Sequence, residues 1–319
     1  MTIGVLTSGG DAPGMNAAVR AVVRTAIYDG MKVKGIRHGY AGILSEDIFD
    51  MDARSVGDIL TRGGTMLFTA RCLEFHKEDV QKQAAEILRK HGIDGLVVIG
   101  GDGSFRGAAA LAREGIKTVG VPATIDMDIA CTDYTIGFDT AINTAMEAID
   151  KIRDTSASHD RCCIIEVMGR RAGYIALYSA IATGAEEVLL PEDYDRDEER
   201  IIQHILENRD KGKKLHMIIN AEGIGDSAGM AERIMTRTGI DTRATLLGHL
   251  QRGGSPTCKD RVYASMMGAR AEALLRDGKS NRVVAYKNGE FTDFNIADAL
   301  AMKKTISEEM LNVSGKLIR

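Results

Sequence analysis

The sequence predicts an α/β protein built as two three-layer domains with largely parallel sheets. Short apolar runs alternate with helical repeats along the whole chain, and several of those runs are apolar on both faces. A strand with two apolar faces belongs in a parallel sheet covered by helices. With 35 glycines and only 4 prolines in 319 residues, the chain places its conformational freedom at strand ends rather than in linkers. That length suits either one large α/β domain or two domains sharing a cleft.

In chain order, residues 3–7 read as a strand, 15–28 as a helix, 33–36 as a strand, 77–90 as a helix and 96–99 as a strand. Residues 105–114 follow as a helix, 118–121 as a strand, 140–153 as a helix, then 162–167 and 188–190 as strands. The series closes with helix 198–208, strands 217–221 and 242–247, and helix 261–275. The strands rest on short unbroken runs such as Leu96-Val97-Val98-Ile99, and the helices on apolar residues recurring at helical spacing. A long helix leading into a second strand series sets a domain boundary near Phe138, with returns near His249 and Ala301. One domain is therefore expected from 1–137 plus about 250–300, the other from 138–249 plus about 301–319. No solenoid-like period or low-complexity tract interrupts the series.

A formal charge of −4 and a pI near 6.0 give no basic footprint for nucleic acid, so an anionic ligand must meet a local basic cluster. Cys72, Cys131, Cys162, Cys163 and Cys258 make neither a Cys-x-x-Cys pair nor an even set, which points to a reducing compartment. The chain enters its first strand without a charged segment and cleavable apolar stretch, and no apolar run is long enough to span a bilayer. A cytoplasmic enzyme without a membrane partner is the expectation.

The motifs sit at strand ends. Thr7-Ser8-Gly9-Gly10-Asp11-Ala12-Pro13-Gly14-Met15-Asn16 follows the first strand, and Gly100-Gly101-Asp102-Gly103-Ser104 follows the strand at 96–99. Open α/β sheets bind ligands at carboxyl ends of strands, where glycine admits an anion and a helix start offers unpaired N–H groups. Either turn alone reads as a structural glycine turn; two together, each with an aspartate, favour a nucleotide site. Position 106 is arginine, so the Gly-x-Gly-x-x-Gly fingerprint of dinucleotide binding is incomplete, and no Walker loop occurs. A nicotinamide oxidoreductase is thereby disfavoured. Asp102 suits Mg²⁺, directly or through water, or else a turn aspartate bonding its own backbone.

Thr124-Ile125-Asp126-Met127-Asp128 ends the strand at 118–121 with two carboxylates beside a hydroxyl. Were the segment extended, Asp126 and Asp128 would lie on one face roughly 7 Å apart, one free to act as base and the other to serve a metal. An isolated Asp-x-Asp is more often a polar turn or a cap. Further on, Arg243 and the run Gly248-His249-Leu250-Gln251-Arg252-Gly253-Gly254 bracket a strand end with basic groups able to hold a sugar phosphate. Arg161 and Met168-Gly169-Arg170 flank the strand at 162–167, where surface arginines are the plain alternative. Glu222 either binds a sugar hydroxyl or caps the next helix. Arg20 and Arg24 share a helix face at i and i+4, and Lys211-Gly212-Lys213-Lys214 is a compact basic run; solvated charge is their ordinary explanation.

Taken together and in order, these motifs resemble the bacterial ATP-dependent 6-phosphofructokinases over nearly the whole chain. The resemblance implies two α/β domains in a homotetramer that transfers the γ-phosphoryl of MgATP to the C1 hydroxyl of fructose 6-phosphate. It makes Asp126 the base, Asp102 the Mg²⁺ ligand and Asp128 a supporting carboxylate that can also meet the metal. Gly10, Arg71, Cys72, Gly101, Asp102, Gly103 and Ser104 would surround ATP, with Thr124 and Arg170 steadying the transferred group. Ile125, Met168, Gly169, Glu222, His249 and Arg252 would line the sugar phosphate, joined by Arg161 and Arg243 from a neighbouring subunit. It also implies an effector site between subunits, drawing on Arg20, Arg24, Arg153, Gly184, Ala185, Glu186, Lys211, Lys213 and Lys214. There ADP or GDP would activate and phosphoenolpyruvate inhibit. Leu215 stands where family members often carry histidine, and Ala123 and Met127 depart from the usual Pro-Gly-Thr-Ile-Asp-Asn-Asp. Pyrophosphate-dependent relatives commonly resemble Gly-Gly-Asp-Asp and Pro-Lys-Thr where this chain has Gly103 and Ala123, which favours ATP. A non-catalytic sugar-phosphate sensor is the remaining rival, and retention of Asp102 and Asp126 speaks against it.

Overall fold

The computed structural model describes residues 1–193 and 197–317. The chain runs β1 (Thr2–Thr7), α1 (Met15–Tyr28), β2 (Lys32–Ile36), α2 (Gly39–Leu44), β3 (Ile48–Met51), α3 (Glu78–Lys90), β4 (Gly95–Gly100), α4 (Asp102–Arg113) and β5 (Lys117–Pro122). It continues through α5 (Phe138–Ala157), β6 (Cys162–Val167), α6 (Tyr174–Thr183), β7 (Glu187–Leu189), α7 (Glu198–Asp210), β8 (His216–Ala221), α8 (Ser227–Thr238) and β9 (Thr242–Leu246). It ends with α9 (Cys258–Arg276), β10 (Arg282–Lys287), β11 (Glu290–Asn295), α10 (Ile296–Ala301) and α11 (Glu308–Leu317).

These elements form two compact units. The first takes Met1–Thr140 and Arg252–Lys304, the second Ala141–Gln251 and the chain from Thr305. The first unit holds a seven-stranded sheet in the order β11-β10-β5-β4-β1-β2-β3, parallel at its centre, with β3 and β11 pairing antiparallel at the two edges. One face packs against α2, α3 and α4 through Leu6, Leu96, Val98, Tyr40, Leu88, Phe105 and Leu111. The other lies under α1 and α9, which also pack on each other. With both faces covered, β1 and β4 are buried almost throughout, as their unbroken apolar runs require. The second unit holds a parallel sheet in the order β7-β8-β6-β9. Ile164, Ile218, Ile201, Ile205, Met230 and Ile234 form its core on the side of α7 and α8, while α6 covers strands from the other side.

Several elements differ from expectation. Helix α4 starts at Asp102 rather than 105, with Gly101 as its N-cap, so a glycine pair that reads as a turn is drawn into a helix start. Helix α9 starts at Cys258 rather than 261, because the Thr257 hydroxyl caps it by accepting from the Asp260 N–H. Strands β3, β10 and β11 are absent from the sequence reading, although Asn288-Gly289, both at positive φ (52° and 86°), is the hairpin signal for β10–β11. The extended geometry expected across residues 126–128 does not occur. Strand β5 stops at Pro122, the chain bends at Ile125 and Asp126, and Met127 turns left-handed at φ 59°. Asp126 is consequently buried, at 3% exposure, whereas Asp128 is exposed.

Candidate functional site

In the first unit, the two glycine turns leave neighbouring strand ends. β1 pairs with β4 up to Thr7 opposite Ile99, and β4 with β5 up to Gly100 opposite Pro122. The Ser8 N–H donates to the Ile99 carbonyl at 2.9 Å, and the Ala123 N–H to the Gly100 carbonyl at 3.0 Å. The loop from β1, the start of α4 and the Asp126 segment are thereby tied along one edge, the carboxyl edge of a parallel sheet where ligands bind. Close packing dictates glycine at position 100, since a Cβ there would lie 2.4 Å from the Ser8 carbonyl oxygen. Gly101 and Gly103 differ: a Cβ on either would meet nothing within 4 Å. The chain itself has no packing need for glycine at those two positions, which flank Asp102 at the start of α4. Ser104, by contrast, is buried, and the Tyr40 hydroxyl donates to its carbonyl.

A third segment joins this edge. The Thr69 hydroxyl donates to the Gly9 carbonyl at 2.6 Å, and the Thr7 hydroxyl to that of Phe68 at 2.8 Å. The buried Asn16 side chain donates to the carbonyls of Arg62 (3.1 Å) and Gly63 (3.3 Å) and accepts from the Met66 N–H at 2.7 Å. Residues 62–69 are thus laced onto the first turn just ahead of the exposed Arg71 and the half-buried Cys72. Arg252 also belongs to this unit, donating from Nη1 to the Asp11 carbonyl at 3.0 Å. A Cβ on Gly10 would come within 2.8 Å of that nitrogen. Gly10 and Arg252, assigned by sequence to different ligands, therefore meet.

The carboxylates of this edge are unequal. Asp126 is buried on the bend, its N–H donating to the Thr124 hydroxyl at 3.1 Å, and Ile125 beside it is fully buried. Asp102 is half-buried, and its carboxyl is held above the usual carboxylate range first by burial and then by the Asp128 carboxylate, with Arg106 opposing. A cation between Asp102 and Asp128 would relieve both causes. Among the described residues no three His, Cys, Asp or Glu side chains gather into a metal nest. Mg²⁺ fits such a site, since it commonly takes one or two carboxylates and completes its shell with water and substrate phosphate.

The second unit carries the basic constellation. Met168, Gly169 (φ 138°) and Arg170 (φ 56°) turn the chain after β6, and one Glu222 oxygen accepts from the N–H groups of Gly169 (3.1 Å) and Arg170 (2.5 Å). Glu222 therefore anchors that turn, and α8 has Asp226 as its N-cap instead. Gln251, fully buried, accepts from the Met168 N–H at 3.2 Å and donates to the Gly248 carbonyl at 3.2 Å, leaving His249 exposed. Arg161 and Arg243 converge on a single carboxylate, that of Asp241, at 2.6 and 3.0 Å. The hydrogen bond from Arg161 is the first cause holding the Asp241 carboxyl below its ordinary range.

Of the residues assigned to an effector site, Arg153, Gly184, Glu186 and Lys213 are brought together in this unit. Arg153 donates to the Thr183 carbonyl beside Gly184, and Lys213 pairs with Glu186 at 2.9 Å. Ala185 follows Gly184 and is buried. Lys211 ends α7, while Lys214 turns to Asp160 at 3.4 Å. Arg20 and Arg24 lie on α1 in the first unit. Asn16 and Gln251 stand inside the motifs named above without a role of their own, whereas Thr69 and Asp241 lie outside every motif. Of the latter two, only Asp241 carried a visible signal, as a carboxylate two positions before Arg243.

A family model described as phosphofructokinase matches residues 2–275. The chain belongs to the phosphofructokinase family. It is 55% identical over 314 residues to the ATP-dependent 6-phosphofructokinase of Clostridium botulinum, covering 98% of both chains, and 56% identical over 317 residues to that of Clostridium acetobutylicum, covering 99% of both. Among solved structures, a phosphofructokinase from Saccharomyces cerevisiae superposes with a TM-score of 0.88 at 33% identity over 99% of this chain; the chain spans 48% of that longer one. A pyrophosphate-dependent phosphofructokinase from Marinobacter aquaeolei shares the fold, with a TM-score of 0.86 at 22% identity over 99% of this chain and 91% of its own. Kinase and glycolytic transferase are accordingly the class of this family's Clostridium members.

Proposed function

We propose that this chain transfers the γ-phosphoryl group of MgATP to the C1 hydroxyl of D-fructose 6-phosphate, giving fructose 1,6-bisphosphate and ADP. The observation that carries the reading is the pairing of Gly100 with Pro122, which sets the open Gly101–Gly103 turn and the buried Asp126 on adjacent strand ends. Phosphoryl transfer asks mostly for alignment and charge neutralisation, with one base to receive a proton. Asp126 takes the proton of the C1 hydroxyl as its oxygen attacks phosphorus and ADP leaves. The α4 N-terminus offers the N–H groups of Gly101–Gly103 to the donor phosphates, the Ser104 N–H being turned to the Gly101 carbonyl at 2.9 Å, with Ser104, Gly10, Arg71 and Cys72 around the nucleotide. Thr124 and Arg170 steady the group in flight. Asp102, with Asp128 beside it, would hold Mg²⁺, which supplies positive charge to the phosphate oxygens when bound.

The sugar phosphate is assigned to Met168, Gly169, Glu222, His249 and Arg252, with Arg161 and Arg243 supplied by a neighbouring copy in a homotetramer. Arg153, Gly184, Ala185, Glu186, Lys211, Lys213 and Lys214, with Arg20 and Arg24, are assigned to an effector site where ADP or GDP activates and phosphoenolpyruvate inhibits. The pair held by Lys213 and Glu186 supports this grouping. A cytoplasmic place of action accords with the family's glycolytic role, and among the described residues no helix is long and apolar enough to cross a membrane. ATP is favoured over pyrophosphate by the space at Gly103, where an aspartate would add negative charge facing the donor. A coupled assay across fructose 6-phosphate concentrations, with ATP or pyrophosphate as donor, tests the choice. Product with ATP alone supports it, and product with pyrophosphate alone overturns it.

A further inference from the structure

Asp260 is fully buried in the first turn of α9, yet it is a carboxylate. Four donors converge on it. Oδ1 accepts from the Tyr134 hydroxyl at 2.6 Å and the Gly137 N–H at 2.7 Å, and Oδ2 from the Thr140 N–H at 2.8 Å and the Thr140 hydroxyl at 2.5 Å. Gly137 directly precedes α5 and Thr140 lies in its first turn, so this one side chain satisfies two N–H groups at that helix start from outside the helix. Every neighbour donates, which suits an acceptor-only carboxylate, and these hydrogen bonds oppose the burial that pushes the Asp260 carboxyl above its ordinary range. The segment so gripped includes Ile136. Its N–H donates to the Pro122 carbonyl at 3.0 Å, and its carbonyl accepts from the Thr124 N–H at 3.1 Å. Thr124 in turn accepts the Asp126 N–H. The segment packs closely on the first turn: a Cβ on Gly14 would lie 2.7 Å from the Ile136 side chain and one on Gly137 2.7 Å from that of Ala12.

We propose that Asp260 is a positioning residue for the transfer reaction, fixing Thr124 and Asp126 through the 134–140 segment without touching substrate. The inference rests on the reaction proposed above. A carboxamide at position 260 would turn an amino group toward donors, freeing either the Tyr134 and Gly137 side or the Thr140 side. A misplacement of about 1 Å at a reacting group can cost about 10²-fold.

The test is a double-mutant comparison. Asp260→Asn should lower kcat by about 10²-fold with the KM for ATP changed by less than about 3-fold. Tyr134→Phe, which removes one of the four donors and keeps the ring, should lower kcat by about fivefold. In an Asp126→Ser background, where no base remains to be placed, each added substitution should change residual turnover by less than about 2-fold. A merely structural role would repeat its full effect in that background, which overturns the proposal, as would an unchanged kcat in Asp260→Asn. If Asp260→Asn does not fold, Tyr134→Phe carries the same comparison. Wild-type protein inactive with ATP and fructose 6-phosphate would defeat the assigned reaction alone. The link is then read by hydrogen exchange: faster exchange of the Ile136 and Thr124 amides in Tyr134→Phe supports it, and unchanged exchange overturns it.

Discussion

Glu272→Gln should make the protein more stable at alkaline pH and leave it nearly unchanged in mild acid. Glu272 lies on α9 at 2% exposure, and among the described residues its Oε1 has no hydrogen-bond partner. Burial pushes its carboxyl up to about 7, with the Asp29 carboxylate at the end of α1 adding to the effect and Arg276 opposing it. Arg276 is already engaged by Asp29 and Asp277. In the unfolded chain the group releases its proton near 4.5; in the folded chain it keeps the proton to about 7. Between those values the folded state binds more protons, so stability falls as pH rises through the window, and the whole cost is present above 7. Full conversion gives at most about 3 kcal/mol, which water reaching the charged neighbours reduces to about 1–2 kcal/mol. Glutamine carries no proton to lose and keeps the shape. Thermal unfolding at pH 5, 7 and 8.5 should show the variant ahead by about 2–4 °C at pH 8.5 and level at pH 5. The same difference at all three values would falsify the assignment of this titration to Glu272.

Asp126→Ser should reduce turnover by about 10²- to 10⁴-fold while leaving ATP affinity near that of the parent; near-normal turnover shows that another group is the base. Asp102→Asn should raise the Mg²⁺ concentration needed for half-maximal rate, and an unchanged Mg²⁺ titration removes Asp102 from the metal site. Gly10→Ala should change stability by less than about 1 kcal/mol, because the atom displaced is the far end of the Arg252 side chain, but it should raise KM for substrate in steady-state kinetics. ADP should lower the half-saturating fructose 6-phosphate concentration and phosphoenolpyruvate raise it; superimposable saturation curves remove the effector assignment.

How far the sequence could be read depended on whether the cause was local. β1 and β4 are legible because strands covered on both faces must be apolar throughout, as are the glycine turns at their ends. β11 was not, since Glu290, Asp293 and Asn295 interrupt its apolar pattern and only the Asn288-Gly289 turn marks the hairpin. The bend at Asp126 was hidden for a different reason. Met127 is not a residue type that announces a left-handed φ, and its place is set by burial, with its sulfur accepting from the Thr135 hydroxyl at 3.5 Å. Asp260 lies farther still from inspection, because its partners at Thr140 are 120 positions away and an aspartate near a helix start looks like an ordinary helix-terminal charge. Glu222 read as either a sugar ligand or a helix cap, whereas its grip on the Gly169–Arg170 turn depended on the register of β6 with β8.

The central claim is that the open turn at Gly101–Gly103 and the buried Asp126 together move a phosphoryl group from ATP to a sugar hydroxyl. Phosphorus NMR of one reaction containing the protein, Mg²⁺, ATP and fructose 6-phosphate tests it most directly. The account predicts a new phosphomonoester resonance at C1 growing in equal measure with ADP, and no such growth when pyrophosphate replaces ATP. ADP appearing with inorganic phosphate alone, or no change in either donor, would contradict it.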